Sequence, residues 1–196
     1  MDGLKRSRKY LVFSVIAVAC AVVFSIIGIR IGTNPGMEKG YQRANIYCVV
    51  LPERVHTGEA GQMQVFISGA HDIYGVSLEA FYDPQYISIE SINWGTFMKG
   101  GQSQPITPVN TMDKEMGRAS AACLLTGDVN GISGEGCLLT IDFTAKGQGV
   151  VSVKEGTMDD KHPTATCLFT FSLGTSDLKL QPYTFKAFDM EITPYP

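Results

Sequence analysis

The sequence predicts an all-β sandwich, and three observations carry that prediction. From Asn45 onward the apolar residues recur with a period of two, not 3.6. Turn-forming clusters interrupt the pattern at short intervals. No amphipathic helix of useful length occurs in that stretch to cross from one parallel strand to the next. Alternating strands without crossover helices pack as two sheets, in a jelly-roll or Greek-key arrangement.

The strands follow in order. Ile46, Cys48 and Val50 share one face of a first strand, and Met63, Val65 and Ile67 share one face of a second. Val76, Leu78, Ala80 and Tyr82 form the inward row of a third, and a fourth runs over residues 86–94. A polar stretch containing Gly and Pro (residues 99–117) reads as an irregular excursion. A fifth strand covers 118–125, and a sixth aligns Cys137, Leu139, Ile141, Phe143 and Ala145. Short strands at 150–153, 166–173 and within 178–192 bring the expected number to nine. Turns are expected at 56–58, Asp83-Pro84, 127–131, 146–149 and 173–174.

The amino-terminal part has a different character. Lys5, Arg6, Arg8 and Lys9 precede an uncharged run of twenty residues, from Tyr10 to Ile29. As a helix that run would span about 30 Å, the hydrocarbon thickness of a bilayer. A single transmembrane helix over 10–31 follows, with the basic segment 1–9 on the cytoplasmic side and the rest outside. The alternatives are a signal cleaved after Ala19-Cys20-Ala21 and lipidation of Cys20. Against the first, the apolar run continues past Val22, longer than a signal core usually is; against the second, Ala17 suits the acceptor motif poorly. All three readings put the domain, residues 45–196, outside the cytoplasm, on a polar linker over 32–44 that reaches about 45 Å at most.

Charge limits the partners. Beyond residue 31 there are 11 basic and 18 acidic residues, a net of −7. No basic stripe is present, so nucleic acid is not an expected partner. The chain has no nucleophile motif, P-loop or dinucleotide fingerprint, and catalytic residues are not assigned. Asp128-Val129-Asn130-Gly131 imitates the start of a calcium loop, but loop positions five and twelve would be Ile132 and Leu139. It reads as a hairpin turn, and neither metal nor cofactor is expected. Asp159-Asp160-Lys161-His162 reads as a solvated loop. Cys48, Cys137 and Cys167 alternate with core residues, which favours reduced thiols packed as small hydrophobes; the alternative is a bridge between Cys123 and Cys137, which flank the 128–134 turn and could face each other across adjacent strands.

Three segments resemble the cohesin family. The first is Gly75-Val76-Ser77-Leu78-Glu79-Ala80-Phe81-Tyr82-Asp83-Pro84 followed by Tyr86-Ile87-Ser88-Ile89 and, after Ile92-Asn93-Trp94, Gly95. The second is Gly131-Ile132-Ser133-Gly134-Glu135-Gly136 running into Leu139, Ile141 and Phe143. The third is Gly58-Glu59, then Gln62, Gln64 and Val65. The resemblance spans about residues 46–192. It implies a nine-stranded jelly-roll sandwich that binds dockerin modules through the open sheet face of strands eight, three, six and five. Type I members place Asn and Asp at outward positions of strand three; the matching positions here are Gly75 and Ser77, which points toward a different partner.

The function expected is therefore a membrane-anchored, extracytoplasmic module that recruits a dockerin-like or other exported protein. The alternatives are polysaccharide binding on the same sandwich, with Tyr74, Phe81, Tyr82, Tyr86 and Trp94 as candidate stacking residues, and a structural ectodomain of an envelope assembly. Alternation assigns the partner-binding candidates. Ser77, Glu79 and Phe81 point outward from strand three, Ala122 and Leu124 from strand five, and Leu138, Thr140 and Asp142 from strand six.

Overall fold

A computed structural model of the chain describes residues 42–101, 103–156 and 164–195. The basic segment, the apolar run and most of the linker, together with Asp159-Asp160-Lys161-His162, lie outside the described residues. Among the described residues no helix is long and apolar enough to cross a membrane.

The described residues form eleven strands and one short helix. They are β1 (Ala44–Leu51), β2 (Val55–His56), β3 (Ala60–Tyr82), β4 (Ile87–Trp94), α1 (Thr96–Lys99), β5 (Ile106–Asp113), β6 (Arg118–Leu124), β7 (Ile132–Ala145), β8 (Gly149–Glu155), β9 (Thr166–Thr175), β10 (Tyr183–Phe185) and β11 (Phe188–Thr193). The expected second and third strands are one 23-residue strand, β3, that serves both halves of the fold. Its first half pairs with β1 on one side and β7 on the other, giving the order β10-β1-β3-β7-β4. Its second half pairs with β6 and β9, giving β5-β6-β3-β9-β8-β11-β2. Bulges between Ile67 and Ile73 shift the register where β3 passes from one half to the other.

That bend has a chemical basis. Gly69 and Asp72 adopt left-handed backbone, with φ of +67° and +56°. Glycine has no Cβ to oppose this conformation, and a short side chain such as Asp can support it by bonding locally. The Asp72 carboxylate accepts the Gly131 N–H at 3.0 Å through Oδ1 and the Ser176 hydroxyl through Oδ2. The Asp72 N–H donates to Ser133 Oγ at 2.9 Å. A Cβ at Gly131 would lie 2.3 Å from the Asp72 carbonyl, so only glycine lets the 127–131 turn come this close. Tyr74 holds the same turn by donating its hydroxyl to the Gly127 carbonyl at 2.5 Å.

Alternation puts Ile46, Met63, Val65, Ile67, Leu139, Ile141 and Phe143 from one half against Val76, Leu78, Ala80, Ala121, Cys123, Phe169 and Phe171 from the other. All are buried, and their burial is the main favourable term in folding. Phe169 of β9 meets Phe185 of β10 edge to face at 6.0 Å, so the two halves also touch at the β10 side.

Four expectations need correction. The excursion over 99–117 contains a strand, β5, paired with β6. It is an edge strand, largely exposed and carrying Pro108, and so lacks the apolar alternation that marks a half-buried strand. The strand at 132–145 is not a neighbour of 118–124; it lies beside the first half of β3, so the 127–131 turn connects two strands that do not pair with each other and is not the expected hairpin turn. Cys123 and Cys137 consequently do not face each other, and the four described cysteines are free thiols. Burial pushes the Cys48 thiol to about 12 and Cys123 to about 11, which keeps both as unreactive thiols.

The fourth correction concerns β7 itself. Val65 pairs with Leu139, but the next residue, Phe66, pairs with Cys137, so Leu138 is an extra residue on the bulged strand. The bulge breaks the alternation. Cys137 moves to the Phe66 side and is only half-buried, while Leu138 is 0% exposed and joins the core. Leu138→Glu would bury a carboxylate among apolar groups. It should lower stability by more than about 4 kcal/mol in denaturant titration. Leu138→Met, which keeps the volume, should cost less than about 1.5 kcal/mol. A Glu variant as stable as the native chain would put Leu138 back on the surface.

Candidate functional site

The outer side of β9, β3, β6 and β5 is an ordered grid, and backbone pairing sets its rows. Ile106, Leu124, Gly75 and Gly174 form one row; Val109, Ala122, Ser77 and Ser172 the next. The third is Thr111, Ser120, Glu79 and Thr170, and the fourth is Asp113, Arg118, Phe81 and Leu168. The surface therefore grades from aliphatic and small, through hydroxyl groups around one carboxylate, to a charged and aromatic end.

Local chemistry explains each row. A Cβ on Gly75 would sit 2.4 Å from Leu124 Cδ2, so the glycine lets Leu124 lie across β3. Beside it Ile106 is 50% exposed, which continues the apolar end to the sheet edge. In the fourth row the Arg118 guanidinium stands 4.6 Å above the Phe81 ring, a cation–π contact, and Phe81 is almost fully covered. Asp113, opposite Arg118, accepts the N–H groups of Glu115 and Met116 and so closes the β5–β6 turn. Gly117 ends that turn with φ of +62°, and a Cβ there would lie 1.9 Å from the Tyr82 carbonyl oxygen. On the β9 side, Thr170 donates its hydroxyl to the Gly156 carbonyl at 2.8 Å.

Glu79 is the electrostatic feature of the face. Ser120 Oγ donates to its Oε2 at 2.6 Å. Burial holds the carboxyl above its ordinary value of 4.5, with the Ser120 hydrogen bond and the charge of Arg118 pulling less strongly the other way. Arg118 stacks on Phe81 and makes no ion pair with Glu79.

Of the eight residues expected to line a binding face, the structure brings Ser77, Glu79, Phe81, Ala122 and Leu124 together. The other three are elsewhere. Leu138 is in the core, and Thr140 and Asp142 lie on the outer side of the other half, in register with Gln64 and Gln62. There Asp142 is fully engaged. It accepts Gln62 Nε2 at 2.8 Å, Ser91 Oγ at 2.5 Å and Asn93 Nδ2 at 3.3 Å. Sequence reasoning left Ile106, Val109 and Thr111 out of the face because their strand was not recognised. Thr170 and Ser172 could have been read from the alternation within 166–173. The proposed sugar-stacking aromatics do not form an exposed row: Phe81, Tyr82 and Trp94 are buried, and Tyr74 and Tyr86 are half-buried. Among the described residues no three His, Cys, Asp or Glu side chains come together as a metal site requires.

The raised Glu79 carboxyl has a consequence for stability. On raising the pH, the unfolded chain releases this proton first, near 4.5, and the folded chain later, so the fold loses stability across that interval. Glu79→Gln has no proton to lose. Its stability relative to the native chain should therefore rise between pH 4 and pH 7, with Arg118 and Asp113 unchanged as the other charged groups on the face. Urea midpoints measured at both pH values check this; a constant difference would mean that Glu79 is well solvated.

No protein-family model matches the chain, and no curated protein does. Solved structures do. A type II cohesin domain from the cellulosome of Acetivibrio cellulolyticus is similar over 77% of this chain and 95% of its own, at 13% identity and a TM-score of 0.55. A type I cohesin of Clostridium thermocellum, solved in complex with a dockerin, matches over 83% of this chain and 100% of its own, at 13% identity and a TM-score of 0.55. A non-cellulosomal cohesin from the archaeon Archaeoglobus fulgidus matches over 77% and 91%, at 13% identity and a TM-score of 0.52. The domain described here has a cohesin-like fold.

Proposed function

We propose that this chain is a cohesin-like receptor that holds a protein partner on the outer side of β9, β3, β6 and β5. The observation that carries the reading is the grid itself. It combines apolar side chains at one end, hydroxyl groups in the middle and a half-buried carboxylate at the centre. Protein interfaces have this mixture, with an apolar core and polar groups that set register. The fold supports the reading, because its structural neighbours include cohesins solved with bound dockerins. The partner is a dockerin-like module or another exported protein. Gly75 and Ser77 stand at the outward positions where type I cohesins are expected to carry Asn and Asp, and Leu124 fills the space over Gly75. The surface is thus more apolar at that end and selects accordingly.

The charge pattern before Tyr10 supports anchoring through residues 10–31, with the binding domain outside the cytoplasm. On this reading, protease added to intact cells removes the domain and spares an amino-terminal tag. A cut tag with a protected carboxyl terminus would reverse the orientation.

Substitution within the grid tests the face. Ala122→Arg and Leu124→Lys place a long cation among half-buried small groups at the sheet surface, so each should abolish partner capture and change stability by only about 1 kcal/mol. Binding to an immobilised panel of type I and type II dockerin modules provides the first measurement. A stable variant that still captures its partner would move the site to another surface.

A further inference from the structure

Glu79 sits on β3, a middle strand of the four, in the row Thr111, Ser120, Glu79 and Thr170. Its carboxylate is only partly provided for. Ser120 donates to Oε2, whereas Thr170 spends its hydroxyl on the Gly156 carbonyl. Oε1 accepts no hydrogen bond from the described residues. The four rows of the grid contain one basic residue, Arg118, and its guanidinium is stacked on Phe81 without an ion pair to Glu79. The other ionised group of the grid, Asp113, is acidic and engaged in its own turn.

Glu79 is half-buried, so Oε1 is open to hydration in the free protein. A partner laid on this face removes that water. A carboxylate buried without a counter-charge is strongly unfavourable, and it becomes tolerable when a cation with good geometry replaces the solvent. Resting on the binding face proposed above, we propose that the partner inserts a lysine or arginine side chain over Glu79, and that this ion pair selects the partner. The apolar end, with Leu124, Val109 and Ile106, then receives aliphatic groups, while the row of Ser120, Glu79 and Thr170 receives the cation. Three neighbouring strands without a basic residue of their own at the centre leave room for it. The partner surface it fits is therefore apolar at one end and basic near its middle.

The test uses the full chain in detergent micelles against the immobilised dockerin panel, followed by variants of whichever module binds. Glu79→Gln keeps the shape and the acceptor for Ser120 but removes the charge. It should weaken binding by about tenfold or more, and Glu79→Lys by about 100-fold or more. Changing one particular lysine or arginine of the module to glutamate should restore binding to the Glu79→Lys chain and weaken binding to the native chain. If Glu79→Gln binds as tightly as the native chain while Leu124→Lys does not bind, the face stands and the cation inference fails, because the carboxyl is then accommodated protonated or by neutral donors. If both Glu79→Lys and Leu124→Lys bind normally, the face itself is wrong. A panel without any binder overturns the dockerin-like reading of the partner, and with it the inference that such a module inserts a cation over Glu79.

Discussion

The fold depends on one continuous strand that changes partners partway along. β3 belongs to both halves, and the change takes place across Gly69, Ala70, His71 and Asp72. A polar carboxylate at such a bend is well suited to hold it. Asp72 ties the bend to the turn before β7 through Gly131, to the start of β7 through Ser133, and to the turn after β9 through Ser176. Those two strands are neighbours of β3 on different halves. The same residue thus fixes where β7 stops following β3 and where β9 lies along it. The position of every outward side chain on the candidate face follows from that register.

Each outer face carries a carboxylate, and the two are supplied with donors very differently. On the half containing β7, Asp142 is surrounded by amide and hydroxyl donors, and the network is closed: Gln64 donates to Gln62, Gln62 to Asp142, and Asn93 and Ser91 complete it. A carboxylate so supplied has little to gain from a partner. On the half containing β6, Glu79 has a single hydroxyl donor and a partly desolvated position. That asymmetry, more than exposure, distinguishes a surface that is finished from one that is not. It also explains how a residue can weaken the free fold at neutral pH and yet be suited to binding, since polar groups left short of partners are a common cost of a recognition site.

Bulges decide more here than their number suggests. The extra residue Leu138 turns one apolar side chain inward and moves Cys137 outward, within a strand whose remaining alternation is regular. Adding one residue to one strand of a pair shifts everything beyond it to the opposite face. A surface inferred by counting in twos is reliable only up to such a point. Ser77, Glu79, Ala122 and Leu124 lie in stretches of unbroken pairing and stand half-exposed on the outer side; Phe81 shares that side but is covered, not solvent-facing as expected. Leu138 lies on the bulge, and its outward assignment fails.

The sequence by itself determined the class of the fold, the inward rows of β3 and β6, that of β7 from Leu139 onward, and the presence of turns at 127–131 and 146–149. Each of these depends on local patterning: period-two hydrophobicity for the rows, and glycine, asparagine or aspartate for the turns. The tertiary structure alone decided that two expected strands are one, that β5 is a strand, that Leu138 is core, and which strands lie side by side. β5 is an edge strand that buries little, so no apolar rhythm marks it. Neighbour relations are set by hydrogen bonds between residues far apart in the chain, such as Gly75 with Leu124 and Gly136 with Ile67, and no local pattern encodes which distant strand completes a given edge. Glu79 could be read as outward from its place in the strand, but its shortage of partners could not, because that shortage is a property of what Ser120, Thr170 and Arg118 do around it.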